Sequence, residues 1–251
     1  MNNALCICST SDLYGPFADE WLNEPIVNGD KFVIVDVTKD PSFNKGFTFT
    51  EQQLREKLNF IQEVSKFNWW NSYGNRNIAW FYAHLRMINF YMEHPNYDYY
   101  WFFDDDIKMD NWGLFFDSFK NEDADFLTYF LFKNTDVETQ PDVPVIDDRT
   151  YSRTEWFKRF PGIDANLPTD MTKLFGSFFP TTRFSNKALK TIMDYNTNGY
   201  HAYHEGMVPT ILNYEGQKLK TIITPENTSN FFDVNEVNIL HKNQKINWEW
   251  I

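Results

Sequence analysis

The stretch YYWFFDDDIKMDNW, residues 99–112, sets five consecutive aromatics, Tyr99 to Phe103, directly against three carboxylates, Asp104, Asp105 and Asp106. A short, uninterrupted apolar run bounded by polar residues reads as a strand covered on both faces. Three adjacent negative charges repel one another, so the chain tolerates them only at a wet tip or around a cation. In an extended chain Asp104 and Asp106 project to one side and Asp105 to the other. Two carboxylates on one side can hold a hard divalent cation through oxygen. The plainer reading is a solvated acidic turn.

The flanks say which kind of sheet this strand joins. Upstream, Ile78, Phe81, Tyr82, Leu85, Ile88 and Met92 follow three–four spacing, which predicts a helix over 76–93 closed by Pro95. Residues 4–9 and 31–37 read as buried strands, with a short helix between them in GPFADEWLNE. Cys6 and Cys8, two apart in the first strand, point to one face as small core residues. Thr50 and Gln53 form a capping box before a helix over 51–65. Strands follow at 125–133, 174–180 and 218–223, with helices at about 185–195 and 205–214. Strand–helix alternation predicts an α/β fold: an open, mixed, mostly parallel sheet with helices on both faces. In such sheets ligands bind at the carboxyl ends of the strands, where the three aspartates sit.

Composition narrows the function. The chain has 251 residues, 42% hydrophobic and 19% aromatic, and a net charge of −12. That suits one folded domain and disfavours nucleic acid as a partner. No basic-plus-apolar leader and no span of about 20 apolar residues is visible, so the expectation is a cytoplasmic protein whose membrane contact, if any, is peripheral.

The stretch NIAWFYAHLRMINFYMEHPNYDYYWFFDDDI resembles the helix, strand and Asp-x-Asp motif of GT-A fold, nucleotide-sugar-dependent glycosyltransferases. YDYYW followed by acidic residues also echoes the α-1,2-mannosyltransferases, whose motif begins Glu-Pro-Asp where this chain has Asp104-Asp105-Asp106. The resemblance implies one GT-A domain over 1–251, with a nucleotide-binding half (1–107) and an acceptor-binding half (108–251). It implies Mn²⁺ or Mg²⁺ as cofactor, a nucleotide-diphosphate sugar as donor and a saccharide or glycan hydroxyl as acceptor. The last aspartate, Asp106, would bind the metal. Asp104 would reach the ribose or the metal's water shell, with Asp105 beside them. A further ligand is His241 in NILHKNQK, with Lys242 toward phosphate. Glu205, opening a late helix, would be the general base of an inverting enzyme; its plainer reading is a first-turn Glu favoured by the helix dipole.

Asp36, ending the second strand, and Thr10, following the first, would meet the base or ribose. Asn75 and Arg76 would face the diphosphate. Gly176 and Ser177 would let a sugar approach the backbone, and Trp69, Trp70 or Trp112 would stack on sugars or a base. His201 and His204, three apart, are a weaker metal pair. Rival readings are a sugar-phosphate nucleotidyltransferase, against which stands the lack of a Gly-rich basic loop in CSTSDLYGPF, a metal phosphohydrolase, and a non-catalytic glycan-binding protein. The donor, the acceptor and the anomeric outcome stay open.

Overall fold

The computed structural model describes residues 2–14, 16–25, 29–58, 82–105, 107–108, 111–133, 175–200, 204–222 and 240–241. Its strands are β1 (Asn3–Thr10), β2 (Asp30–Asp36), β3 (Phe47–Phe49), β4 (Tyr99–Asp104), β5 (Ile107–Lys108), β6 (Phe126–Lys133), β7 (Phe175–Ser185), β8 (Leu219–Thr221) and β9 (Leu240–His241). Seven of them form one sheet in the order β3-β2-β1-β4-β7-β6-β8. Only β7 runs against the rest, pairing antiparallel with β4 and β6; the other four ladders are parallel. The expected α/β architecture with a mixed, mostly parallel sheet is present.

Side-chain alternation along β4 explains the aromatic run. Tyr100 and Phe102 enter one core with Cys6, Cys8 and Ile34. Trp101 and Phe103 enter the other with Leu5, Ile7, Val33 and Val35. Burying an aromatic of this size contributes roughly 2–3 kcal/mol. The first face is covered by α2 (Glu51–Lys57), α3 (Ala83–Glu93), α5 (Asn186–Thr197) and α6 (His204–Tyr214), the second by α1 (Pro16–Asn23) and α4 (Trp112–Ser118). Cys6 and Cys8 are free, buried and on one face, as their spacing requires.

Local signals account for several boundaries. Thr50 and Gln53 make the capping box: Gln53 N–H donates to Thr50 Oγ1 at 3.2 Å, and Thr50 N–H donates to Gln53 Oε1 at 2.8 Å. Ser185 caps α5, accepting from Ala188 N–H at 3.1 Å. The strand expected to stop at residue 180 instead continues to Ser185. Pro180 has no N–H for a ladder, and there the β6–β7 register slips: Thr128 faces Thr182, but Phe130 faces Phe178. A proline inside a sheet is tolerated at such an irregularity. Ile78 and Phe81 of the expected 76–93 helix, and Ile61 of the 51–65 helix, lie outside the described residues.

At the amino end of β4, Arg183 is buried opposite Trp101. Its guanidinium donates to the carbonyls of Phe119 (3.4 Å), Glu122 (2.9 Å) and Ala124 (3.0 Å). It also lies over the rings of Tyr99 and Trp101, at 4.1 and 5.6 Å. Burial pulls it down to about 10, so it is charged at neutral pH. It clamps the turn between α4 and β6.

Candidate active site

The chain lays down β1, β2 and β3 in one direction, then crosses back to place β4 on the other side of β1. The strand order thus reverses between β1 and β4, and the carboxyl ends at such a reversal are the usual ligand position in open α/β sheets. Cys8 is level with Asp104, and Thr10 with Asp36 of β2. Ser9, Thr10, Asp36, Asp104 and Asp105 therefore share one rim.

The two described aspartates of the run part to opposite faces, as alternation predicts. Asp104 turns toward α3, where Arg86 Nη2 donates to its Oδ1 at 2.7 Å. The Arg86 side chain is only 14% exposed, that of Asp104 37%. Asp105 leaves the strand and accepts from Ser9 Oγ at 2.7 Å, tying the tip of β4 to that of β1. Burial pushes the Asp105 carboxyl above its usual range; the Ser9 hydrogen bond pulls the other way, the Asp104 charge adds to the rise, and Arg86 offsets part of it. Among the described residues, the rim's donors toward a ligand are carboxylate and hydroxyl oxygens. That donor chemistry fits Mg²⁺ or Mn²⁺. Among the described residues, no three His, Cys, Asp or Glu side chains converge as a metal set. Asp106 lies outside them, and of His241 only the backbone is described.

That backbone is informative. β9 pairs antiparallel with β5, His241 opposite Ile107 and Leu240 opposite Lys108. The tail thus returns to the residues that directly follow the aspartate run.

Thr10 and Asp36 also serve local turns. Thr10 Oγ1 donates to Asp12 Oδ1 at 2.6 Å. Asp36, buried, accepts from Thr38 N–H and Thr38 Oγ1 at 2.9 and 2.5 Å. The aspartate bonding two residues ahead is an Asx turn.

Glu205 opens α6 in the other half of the chain, beside the part of β7 that extends past β4. The last β4–β7 pair is Phe103 with Thr181, so the residues before Thr181 run past the carboxyl end of β4. The first turn of α6 docks on that extension. Pro209, inside α6, has no N–H to offer the carbonyl four residues back, which is that of Glu205. Ser177 Oγ fills the gap, donating to Glu205 O at 2.9 Å. One turn on, Thr210 Oγ1 bonds both the N–H and the C=O of Phe175, at 3.0 and 3.2 Å. Glu205 is 4% exposed, so its carboxylate is shielded from bulk water.

Three expectations change. Ser177 is fully buried and committed to α6, so it does not line a sugar path. Trp112 is a core residue, 4.7 Å from Trp21 and 5.0 Å from Phe103 between ring centroids, and does not offer a stacking face. His204 is buried against Phe179 at 4.6 Å rather than exposed for a metal. Trp69, Trp70, Asn75, Arg76, His201 and Lys242 lie outside the described residues. Arg86 and Ser9 were missed; the signal available for Arg86 was a cation at the margin of the apolar face of the 76–93 helix.

No protein-family model matches the chain, and no curated protein is detectably similar to it in sequence. Among the described residues no helix is long and apolar enough to cross a membrane.

Proposed function

We propose that this chain is a GT-A-type glycosyltransferase, moving a sugar from a nucleotide-diphosphate donor to a hydroxyl of a saccharide or glycan. The observation that carries the reading is the aspartate run at the carboxyl end of β4, at the point where the strand order reverses. Asp106 and Asp104 would hold the cation, with His241 joining from β9, whose backbone runs beside the residue after the run. A bound Mn²⁺ or Mg²⁺ supplies electrostatic stabilisation of the departing nucleoside diphosphate.

The remaining work falls to the protein. Thr10 and Asp36 flank the place for the base and ribose. Asn75 and Arg76 are assigned to the diphosphate. In the inverting form of the reaction, the acceptor oxygen bonds to the anomeric carbon as the bond from that carbon to the diphosphate oxygen breaks. Glu205 takes the acceptor's proton, and the nucleoside diphosphate leaves with the electron pair. The burial of Glu205 limits water, which would otherwise compete as acceptor.

Asp106→Asn tests the reading. The variant should keep its fold and lose Mn²⁺-dependent nucleotide binding. Equal nucleotide affinity in variant and parent, with and without EDTA, contradicts the metal assignment.

A further inference from the structure

We infer that Arg86 is a built-in counter-ion that weakens the rim's hold on a free divalent cation, so that metal binds well only together with the nucleotide diphosphate. This rests on the glycosyltransferase reading of the same rim. Arg86 stands near the amino end of α3, where the helix dipole disfavours a cation. Its side chain is nearly buried, which costs further solvation. Both costs are offset by the rim aspartates, chiefly Asp104 at 2.7 Å across a separation of 18 residues, with the charge of Asp105 adding to it. Lys39, a described cation near the tips of β1 and β2, is 72% exposed and paired with Asp12, so it contributes little to the field at the β4 tip. Arg86 therefore sets the charge that a metal meets. With its guanidinium in place the aspartates are partly neutralised and the tip folds without metal. A bare Mn²⁺ then finds a weaker field, and the diphosphate's negative charge restores the attraction. Metal and donor would arrive and leave as a unit.

The test is Mn²⁺ affinity of the full chain by calorimetry, without nucleotide and with UDP or GDP. Arg86→Gln should tighten nucleotide-free Mn²⁺ binding by about tenfold, the scale of one partly screened charge a few ångströms away. It should also lower the melting temperature in EDTA, with Mn²⁺ restoring it. Arg86→Lys, which keeps the charge, should stay close to the parent. If Gln disturbs the packing of α3, Arg86→Met keeps the apolar stem and is read in the same way. A folded Arg86→Gln or Arg86→Met protein with parental or weaker Mn²⁺ affinity overturns the inference. So does Arg86→Lys tightening as much as Gln. Mn²⁺ binding absent from the parent under every condition overturns the metal reading as well, which separates the two failures.

Discussion

Two arginines mark the two ends of β4, and they are held in different ways. At the amino end Arg183 is buried, its two terminal nitrogens held by three backbone carbonyls and its plane lying over two aromatic rings. At the carboxyl end Arg86 is held by a carboxylate that is itself 37% exposed. Carbonyls offer dipoles that cannot leave or titrate, so Arg183 fixes a turn. A carboxylate at a rim offers charge that a ligand can share, so on the proposed reading Arg86 bears on the site. The same guanidinium is structural or functional according to what neutralises it.

If the comparison holds, substitutions at the carboxyl end act mainly on chemistry, with the stability lost at Arg86 recovered by Mn²⁺, and those at the amino end act on stability alone. The largest effect is expected from Glu205→Gln, which should bind donor normally and lose transfer by ~10²–10⁴-fold in steady-state assays. Parental turnover would move the base elsewhere. Next, Arg183→Met should strand the Glu122 and Ala124 carbonyls, while Phe119 O keeps the Glu122 N–H, and cost about 3 kcal/mol in denaturant unfolding, with nucleotide affinity unchanged in the folded fraction. A matching fall in nucleotide affinity would blur the division between the two ends.

Ser177→Ala lies between these extremes, because it touches the rim through α6. It should lower stability by about 1 kcal/mol and reduce turnover more than donor KM, by loosening the first turn that carries Glu205. Ala at Pro209 restores the helical N–H to the Glu205 carbonyl, so Ser177→Ala should matter less in that background. The smallest effect concerns Asp12, held below its usual range by the Thr10 hydrogen bond and Lys39. The unfolded chain takes up this proton first, so the contribution is present above the ordinary value of 3.8 and fades as pH falls through the lower folded value. Asp12→Asn should flatten the acid limb of the stability profile slightly.

What the sequence revealed follows from the range of the interactions. The β4 run, the capping box at Thr50 and the placement of aspartates at a strand tip are local patterns, readable from a few neighbouring residues. Ser9 and Asp105 are 96 residues apart, and Ser177 and Glu205 are 28 apart. Those bonds exist only once strand order and helix docking are set. The helix expected at 205–214 is present despite Pro209 inside it, but the partner that Pro209 leaves to Ser177 could not be read from neighbouring residues. β5 and β9 are two residues each, too short to leave any periodicity, yet their pairing is what brings His241 to the aspartates' end of the chain.

The central claim is that the rim between β1 and β4 takes a nucleoside diphosphate through a divalent cation. Melting curves of the full chain with UDP, GDP, CDP and dTDP, each with Mn²⁺ and with EDTA, test it most directly. At least one diphosphate should raise the melting temperature with Mn²⁺ and lose that effect in EDTA, because binding to the folded state alone shifts unfolding. No shift with any nucleotide, or a shift of the same size in EDTA, would contradict it.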